Sequence, residues 1–181
     1  MAGKMKKIVI IGPGGSGKST LARQLGAAMG LEVIHLDSIF WHPGWVETPD
    51  EEWLKIQKEL VSKDAWIIDG NYGGTQDIRF EAADMIIFLD IVGYICFWRV
   101  VKRWLRYAGR PRPDLAPGCP EKLDPSFLAW IWNYRRDSRP LVLERLAKHS
   151  NGRRIVVLHS PNEVRKFLDE VRRSLNEASK A

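Results

Sequence analysis

Cysteine is scarce in this sequence, which has two cysteines among its 181 residues. Cys96 and Cys119 lie far apart along the chain, so they form neither a close metal-binding pair nor the dense pattern of a disulfide scaffold. Few and separated cysteines are typical of proteins whose thiols stay reduced. We therefore expect a cytoplasmic protein without a disulfide framework.

Long hydrophobic runs are also absent. The longest apolar region, Met85–Val101, is interrupted by Asp90 and Arg99, which argues against a membrane span. The apolar run behind the basic start, Ile8–Ile11, is too short for the core of a signal peptide. The sequence also lacks internal repeats and the N/T-K-x-D motif that reads guanine. We expect no membrane partner.

The composition is that of an ordinary globular protein, with 45% hydrophobic and 28% charged residues. A chain of 181 residues has room for one α/β domain with a full core, so we expect residues 1–181 to form a single domain. The formal charge of +6 indicates an anionic partner, which could be a nucleotide or a nucleic acid.

A glycine-rich stretch near the start matches the phosphate-binding pattern G-x-x-x-x-G-K-[ST] completely. The apolar run Ile8–Ile11 precedes it as a buried strand should, and a helix-forming run, Leu21–Met29, follows it. Backbone N–H groups of such a loop and the positive end of the helix bind phosphate. Lys18 can reach the β- and γ-phosphates, and the Ser19 hydroxyl can ligate Mg²⁺. We expect a nucleotide site formed by Gly12, Pro13, Gly14, Gly15, Ser16, Gly17, Lys18, Ser19 and Thr20.

Apolar strands alternate with helices along the chain. Strands are predicted at Ile8–Ile11, Glu32–Leu36, Trp66–Ile68, Met85–Leu89 and Arg154–Leu158. Helices are predicted at Leu21–Met29, Asp50–Val61, Val92–Tyr107, Ser126–Lys148 and Pro161–Glu177, the last with Ser160 as its N-cap. This alternation predicts an α/β fold whose parallel sheet is covered by helices on both faces.

Three of the predicted strands lead into an acid, namely Asp37, Asp69 and Asp90. Ligands bind at the carboxyl ends of parallel strands, and a carboxylate one strand away from the phosphate loop can hold Mg²⁺ or its waters. Asp69 and Asp90 both satisfy this pattern, and either one taken alone also fits an ordinary cap or turn acid. The run 90–93 matches the D-x-x-G of GTPases, but the missing guanine motif argues against that class.

The order of these motifs resembles the adenylate-kinase-like small-molecule kinases over nearly the whole chain. The third strand of that group leads into Asp-Gly-Phe-Pro-Arg, and the matching run here, Asp69-Gly70-Asn71-Tyr72-Gly73, lacks the arginine that clamps a nucleotide phosphate. The resemblance implies a three-layer P-loop NTPase fold with a five-stranded parallel sheet in the order 2-3-1-4-5. It also implies ATP with Mg²⁺, with Ser19 and Asp69 at the metal, and the single Cys119 of the lid predicts no zinc.

A closer resemblance is to the bacterial DNA topology modulation family of predicted nucleotide kinases. The matching motifs are His35-Leu36-Asp37 with Phe40-Trp41, the run 66–72 (Trp-Ile-Ile-Asp-Gly-Asn-Tyr), and Arg112-Pro113-Asp114, in that order. This resemblance implies a nucleotide kinase. The family name refers to a DNA-related phenotype, so a second hypothesis remains: an ATP-binding, DNA-associated regulatory protein without kinase activity.

The segment Gly109–Asp124, within residues 108–125, is rich in proline and glycine and too long for a simple connection, so we expect a lid. Arginines are concentrated on the helices on either side of it. Phosphoryl transfer needs cations around the phosphate oxygens, ideally brought in as a lid closes. The candidates are Arg103 and Arg139, followed by Arg110 and Arg112, although a solvated basic face is the alternative interpretation.

The eight tryptophans form two groups. Those in predicted helices and strands are expected in the core, fully for Trp53, Trp66, Trp98 and Trp104 and in part for Trp130 and Trp132. Trp41 and Trp45 instead lie in a loop just after Asp37, where the resemblance places the phosphoryl acceptor, so they either stack on it or plug the loop. We expect a small nucleotide or other small acceptor between this loop and Asn71-Tyr72, with Asp37 orienting it or taking its proton. The sequence does not indicate an oligomeric state.

Overall fold

Strands and helices alternate along the computed structural model of the chain, which describes residues 5–108 and 115–178. The strands in this part are β1 (Lys7–Ile11), β2 (Val33–His35), β3 (Trp41–His42), β4 (Val46–Glu47), β5 (Trp66–Asp69), β6 (Met85–Leu89) and β7 (Arg154–Leu158). The helices are α1 (Lys18–Met29), α2 (Asp37–Phe40), α3 (Asp50–Ser62), α4 (Gln76–Ala82), α5 (Gly93–Tyr107), α6 (Pro125–Asp137), α7 (Arg139–Lys148) and α8 (Pro161–Ala178).

The central strand of the main sheet is β1. The sheet is parallel, with the order β2-β5-β1-β6-β7, so β1 pairs with β5 on one side and β6 on the other. Residues 8–11 of β1 are all buried, which explains why its sequence is a continuous apolar run. Numbered within this sheet alone, the order is 2-3-1-4-5, so the predicted five-stranded parallel sheet is confirmed.

Helices pack on both faces of this sheet. Because side chains alternate along a strand, Ile8 and Ile10 pack on one face against residues of α1, α5 and α8. Val9 and Ile11 pack on the other face, against residues of α3, α4, α6 and α7. The fold is therefore the predicted three-layer α/β arrangement, and the carboxyl ends of β1, β2, β5 and β6 lie along one edge.

The ends of the helices follow the capping residues expected from the sequence. Gly30 follows α1 with φ +66°, and its N–H donates to Gly26 O. Ser160 caps α8: its hydroxyl accepts from the Glu163 N–H at 3.2 Å and donates to the Glu163 carboxylate at 3.1 Å. None of the described helices is long and apolar enough to cross a lipid bilayer.

The structure corrects three sequence predictions. The predicted helix Ser126–Lys148 is two helices, α6 and α7, because Pro140 lacks the N–H needed to continue α6. The predicted loop after Asp37 contains the short helix α2 and the antiparallel hairpin β3–β4, and α4 was not predicted. Trp98 was expected in the core but is 59% exposed on α5.

Candidate active site

The phosphate loop, Gly12–Thr20, connects β1 to α1 at the carboxyl edge of the sheet. Gly15 has φ +77°, and a Cβ atom there would lie 2.4 Å from the Cys96 carbonyl oxygen, so this position requires glycine. Gly17 is the N-cap of α1 and makes no side-chain cap hydrogen bond. The first N–H groups of the helix are therefore left for an anion, as a phosphate site requires.

Lys18 lies at the first turn of α1 with its amine directed back to the loop. Its Nζ donates to Gly12 O at 2.9 Å and to Pro13 O at 3.0 Å. Burial lowers the pKa of Lys18, while the nearby carboxylates of Asp37 and Asp69 act in the opposite direction. The ammonium group is thus held over the loop, between the two acids.

A hydrogen-bonded group joins Ser19 near the start of α1, Asp69 at the end of β5 and His35 at the end of β2. The Ser19 hydroxyl donates to Asp69 Oδ2 at 2.8 Å, and His35 Nδ1 lies 2.5 Å from Asp69 Oδ1. Asp69 ends β5 beside Ile10 of β1, so the sheet register sets it next to the phosphate loop. Its carboxylate is 3% exposed and is fixed by both partners.

These residues fit a Mg²⁺ bound together with a nucleotide. No group of three or more His, Cys, Asp or Glu side chains suited to a metal occurs in residues 5–108 and 115–178. Mg²⁺ in phosphate sites usually keeps several waters and is held by one or two protein oxygens plus the phosphates. The Ser19 hydroxyl, with the Asp69 carboxylate behind it, provides that kind of donor set.

Asp37, the predicted acceptor-side acid, begins α2 and lines the same cavity as Lys18. The Tyr72 hydroxyl donates to Asp37 Oδ1 at 2.7 Å. Burial, and then the Asp37 charge, raise the pKa of Tyr72 far above its usual range. Tyr72 therefore stays protonated and holds the carboxylate of Asp37 in one orientation.

Asn71 bridges the end of β5 to the phosphate loop. Its Oδ1 accepts from Gly12 N–H at 3.0 Å, and its Nδ2 donates to Gly12 O at 2.8 Å. The residue was predicted to contact the acceptor, and it does line the cavity described below, but both ends of its amide are bound to Gly12. The sequence motif at 69–72 thus holds the phosphate loop as well as facing the cavity.

Arginine side chains from α5 extend to the phosphate loop and the lid. Arg99 Nη1 donates to Ser16 O at 3.0 Å, and Arg103 Nε donates to Glu121 Oε1 at 2.9 Å. Arg139 instead pairs with Asp90, its Nε donating to both carboxylate oxygens at 3.0 and 2.9 Å. Asp90 therefore serves as the partner of Arg139 in this structure. The candidates Arg110 and Arg112 lie outside the described residues.

One cavity of about 1080 Å³ contains most of these groups. The predicted residues that line it are residues 14–20 of the phosphate loop, with Lys18 and Ser19 among them, and Asp37, Trp41, Trp45, Asn71, Tyr72 and Arg103. Arg139 is not among the lining residues in the described part of the chain. Phe127 and Trp130 of α6 also line the cavity, with rings 5.7 Å apart and 19° from parallel. Neither residue was predicted to belong to the site, although their i, i+3 spacing on one helix places both rings on the same side.

Residues 115–122, which belong to the predicted lid, contact the hairpin β3–β4. Gly44 N–H donates to Gly118 O at 3.0 Å, and Trp45 Nε1 donates to Pro120 O at 3.2 Å. Leu115, Ala116 and Cys119 pack with Trp41 and Trp45. Trp41 and Trp45 thus contact the lid as well as lining the cavity.

Comparison with solved structures defines the class of fold. Shikimate kinase from Acinetobacter baumannii, in complex with shikimate, gives a TM-score of 0.55 at 16% identity and covers 96% of this chain and 94% of its own. Deoxyadenosine kinase from M. mycoides gives a TM-score of 0.51 at 16% identity, covering 94% and 98%. A gluconokinase from Sinorhizobium meliloti 1021 gives 0.50 at 18% identity, covering 97% and 94%. This chain has the fold of the P-loop kinases.

The fold is the level at which these likenesses apply, because each identity is below 20%. No protein-family model and no curated protein matches the sequence. What the chain binds and transfers must therefore be argued from its own residues.

Proposed function

We propose that this chain is an enzyme that transfers the γ-phosphoryl group of ATP, bound with Mg²⁺, to a small-molecule acceptor. The observation that carries the proposal is one cavity lined by Lys18 and Ser19 of the phosphate loop and by Asp37 across from them. A cation, a metal-binding hydroxyl and a carboxylate facing one space are what phosphoryl transfer requires. The P-loop kinase fold supports the same assignment.

The donor half of the site uses the phosphate loop. Backbone N–H groups of Gly14–Thr20 and the Lys18 ammonium bind the β- and γ-phosphates. When bound, Mg²⁺ neutralises charge on the phosphate oxygens. Ser19 and Asp69 are the residues that would hold the metal, with the Asp69 carboxylate orienting the Ser19 hydroxyl through their hydrogen bond.

The acceptor half uses Asp37. Its carboxylate orients the acceptor and, where the attacking group is a hydroxyl, takes the proton as the acceptor oxygen bonds to the γ-phosphorus and the bond to the β–γ bridging oxygen breaks. ADP is the leaving group. Tyr72 keeps Asp37 in place through its hydrogen bond, and Trp41 and Trp45 form the wall on which an acceptor ring packs.

Arg99, Arg103 and Arg106 of α5 line the cavity and supply positive charge for the transferred group. We assign this role to them rather than to Arg139, because Arg139 is not among the residues that line the cavity in the described part of the chain. Arg110 and Arg112 remain proposed lid cations.

The motifs shared with the DNA topology modulation family support a nucleotide as the acceptor. In adenylate kinases an arginine that binds the phosphate of the acceptor nucleotide stands at the position of Gly73. Because this arginine is missing here, the competing acceptor class is a sugar, an amino alcohol or an antibiotic. Cys96 and Cys119 are both free thiols, and we propose a cytoplasmic location.

An ADP-release screen over nucleoside monophosphates, nucleosides and small alcohols tests the proposal. We expect one acceptor class to stimulate turnover, and Asp37→Asn to lower that turnover by about 10²–10⁴-fold, the usual contribution of a general base. Asp50→Asn, which removes an exposed carboxylate in the first turn of α3, is the matched control.

A DNA-binding titration at two salt concentrations addresses the rival hypothesis. If no acceptor stimulates ADP release and the chain binds DNA with an affinity that falls steeply with salt, the kinase proposal is wrong.

A further inference from the structure

Arg79 of α4 is a buried cation behind the site. Its side chain is 0% exposed, and no ion pair joins it to a carboxylate within residues 5–108 and 115–178. Its Nη1 donates to Gln57 Oε1 at 2.6 Å and to Thr75 Oγ1 at 3.1 Å. Burial lowers the pKa of this guanidinium, because a buried charge without an acidic partner is costly. The hydrogen bonds that it makes must offset that cost.

The other end of the guanidinium holds the turn that follows β5. Its Nη2 donates to Asn71 O at 2.5 Å and lies 3.4 Å from Tyr72 O. These two carbonyls flank Tyr72, which has φ +37°, a left-handed conformation that is strained for an aromatic residue. Arg79 therefore fixes the backbone where the chain takes an unfavourable turn.

The two side chains on this turn extend to opposite halves of the cavity. Asn71 binds both the N–H and the C=O of Gly12 in the phosphate loop. The Tyr72 hydroxyl binds Asp37. A shift in the turn would therefore displace the donor and the acceptor sides together.

We infer that Arg79 is a positioning residue, which acts through Asn71 and Tyr72 to set the distance between the phosphate loop and Asp37. Its action on Asp37 rests on the proposed function. Its action on Gly12 does not, because the hydrogen bonds between Asn71 and Gly12 join two parts of the chain itself.

The test compares Arg79→Lys and Arg79→Met with Arg153→Gln. Arg153 is a matched control, since it also donates to a backbone carbonyl, Glu81 O at 2.7 Å, but at the far end of α4 from the turn. Lysine keeps the charge but lacks the planar fork, so it restores only part of the effect.

The first measurement is the amide resonance of Gly12 in the ligand-free protein, which reports the hydrogen bond to Asn71. We expect it to move in both Arg79 variants and to stay in place in Arg153→Gln. An unchanged Gly12 resonance in a folded Arg79 variant overturns the inference. Failure of both Arg79 variants to fold at low temperature also overturns it, because Arg79 would then be purely structural.

The second measurement is the affinity for Mg-ATP by titration calorimetry, in a double-mutant cycle with Asn71→Ala. Loss of a hydrogen bond from a charged group predicts about a 10–100-fold weakening in Arg79→Met. In the Asn71→Ala background we expect less than about a twofold further change, since the route to Gly12 is already cut. Equal weakening in both backgrounds contradicts a route through Asn71.

These readouts separate the inference from the proposed function. If the native chain does not bind Mg-ATP, the kinase proposal fails, and the Gly12 resonance still decides the role of Arg79. If Mg-ATP binds and the Gly12 resonance is insensitive to Arg79, the kinase proposal stands and the positioning role fails.

Discussion

Replacing Asp69 with asparagine tests the assignment of the metal site most directly. The change keeps the size of the side chain and removes its charge. Asp69 is nearly inaccessible to water, and its two oxygens are bound by Ser19 and His35. Partners that orient a metal ligand typically contribute 10–100-fold to metal affinity or activity. We therefore expect Asp69→Asn to weaken Mg-ATP binding by about 10–100-fold, or about 1.4–2.7 kcal/mol.

The sign of the effect should reverse when the metal is removed. Without Mg²⁺, the carboxylate of Asp69 faces the phosphate charges of ATP and repels them. Free ATP in the presence of a chelator should consequently bind Asp69→Asn as well as, or better than, it binds the native chain. A general loss of structure would weaken both forms of ATP and could not give opposite signs.

Calorimetric titrations of ATP with Mg²⁺ and with chelator measure both quantities. Asp84→Asn is the control, because Asp84 also accepts two hydrogen bonds near β1, from Lys6 N and Lys7 N, but lies outside the cavity. If Asp69→Asn and Asp84→Asn show the same dependence on Mg²⁺, Asp69 does not support the metal.

Two further predictions concern stability. Gly15→Ala should lower the free energy of unfolding, measured in urea, by about 1–3 kcal/mol more than Gly30→Ala does. Both glycines have positive φ, but only at Gly15 would the added Cβ meet a backbone oxygen, that of Cys96. Equal losses in the two variants would refute this prediction. The hydrogen bond from His149 lowers the pKa of Asp77. The charged Asp77 carboxylate therefore stabilises the fold at pH values above its unfolded pKa of about 3.9, and this stabilisation is lost as the pH falls through the folded pKa. Asp77→Asn should therefore be less stable than the native chain at pH 6, by no more than about 1 kcal/mol for this half-exposed pair, and the difference should shrink steadily as the pH falls below about 3.9. A difference that does not change with pH would contradict this prediction.

Local patterns predicted the sheet well. Each strand of the main sheet is a short apolar run between turn residues, and β6 and β7 have the predicted bounds, Met85–Leu89 and Arg154–Leu158. The strand order came from a resemblance, because periodicity does not show which strands are neighbours. The break between α6 and α7 was missed although Pro140 marks it. The helical pattern on both sides of this proline concealed the break.

The positions of candidate site residues were predictable where a local motif sets them, as for Lys18 and Ser19, which line the cavity. They were not predictable where a role depends on a distant partner. Asn71 and Gly12 are 59 positions apart, and the sequence does not show that they exchange two hydrogen bonds. Arg139 resembles a phosphate ligand in sequence, but its partner Asp90 is 49 positions away. Arg79 resembles an ordinary surface arginine of a short helix until its burial is known.

The strand order also dictates when the sheet can assemble during synthesis. β1 and β2, the first two strands made, are not neighbours, because β5 lies between them. Neither strand can pair until their common neighbour, β5, has been synthesised. The other edge of β1 stays unpaired until β6 follows. Pairings between such distant segments make folding slow. A chain interrupted before β5 would therefore expose the apolar Ile8–Ile11 run with both edges unpaired, which makes early truncation products prone to aggregation.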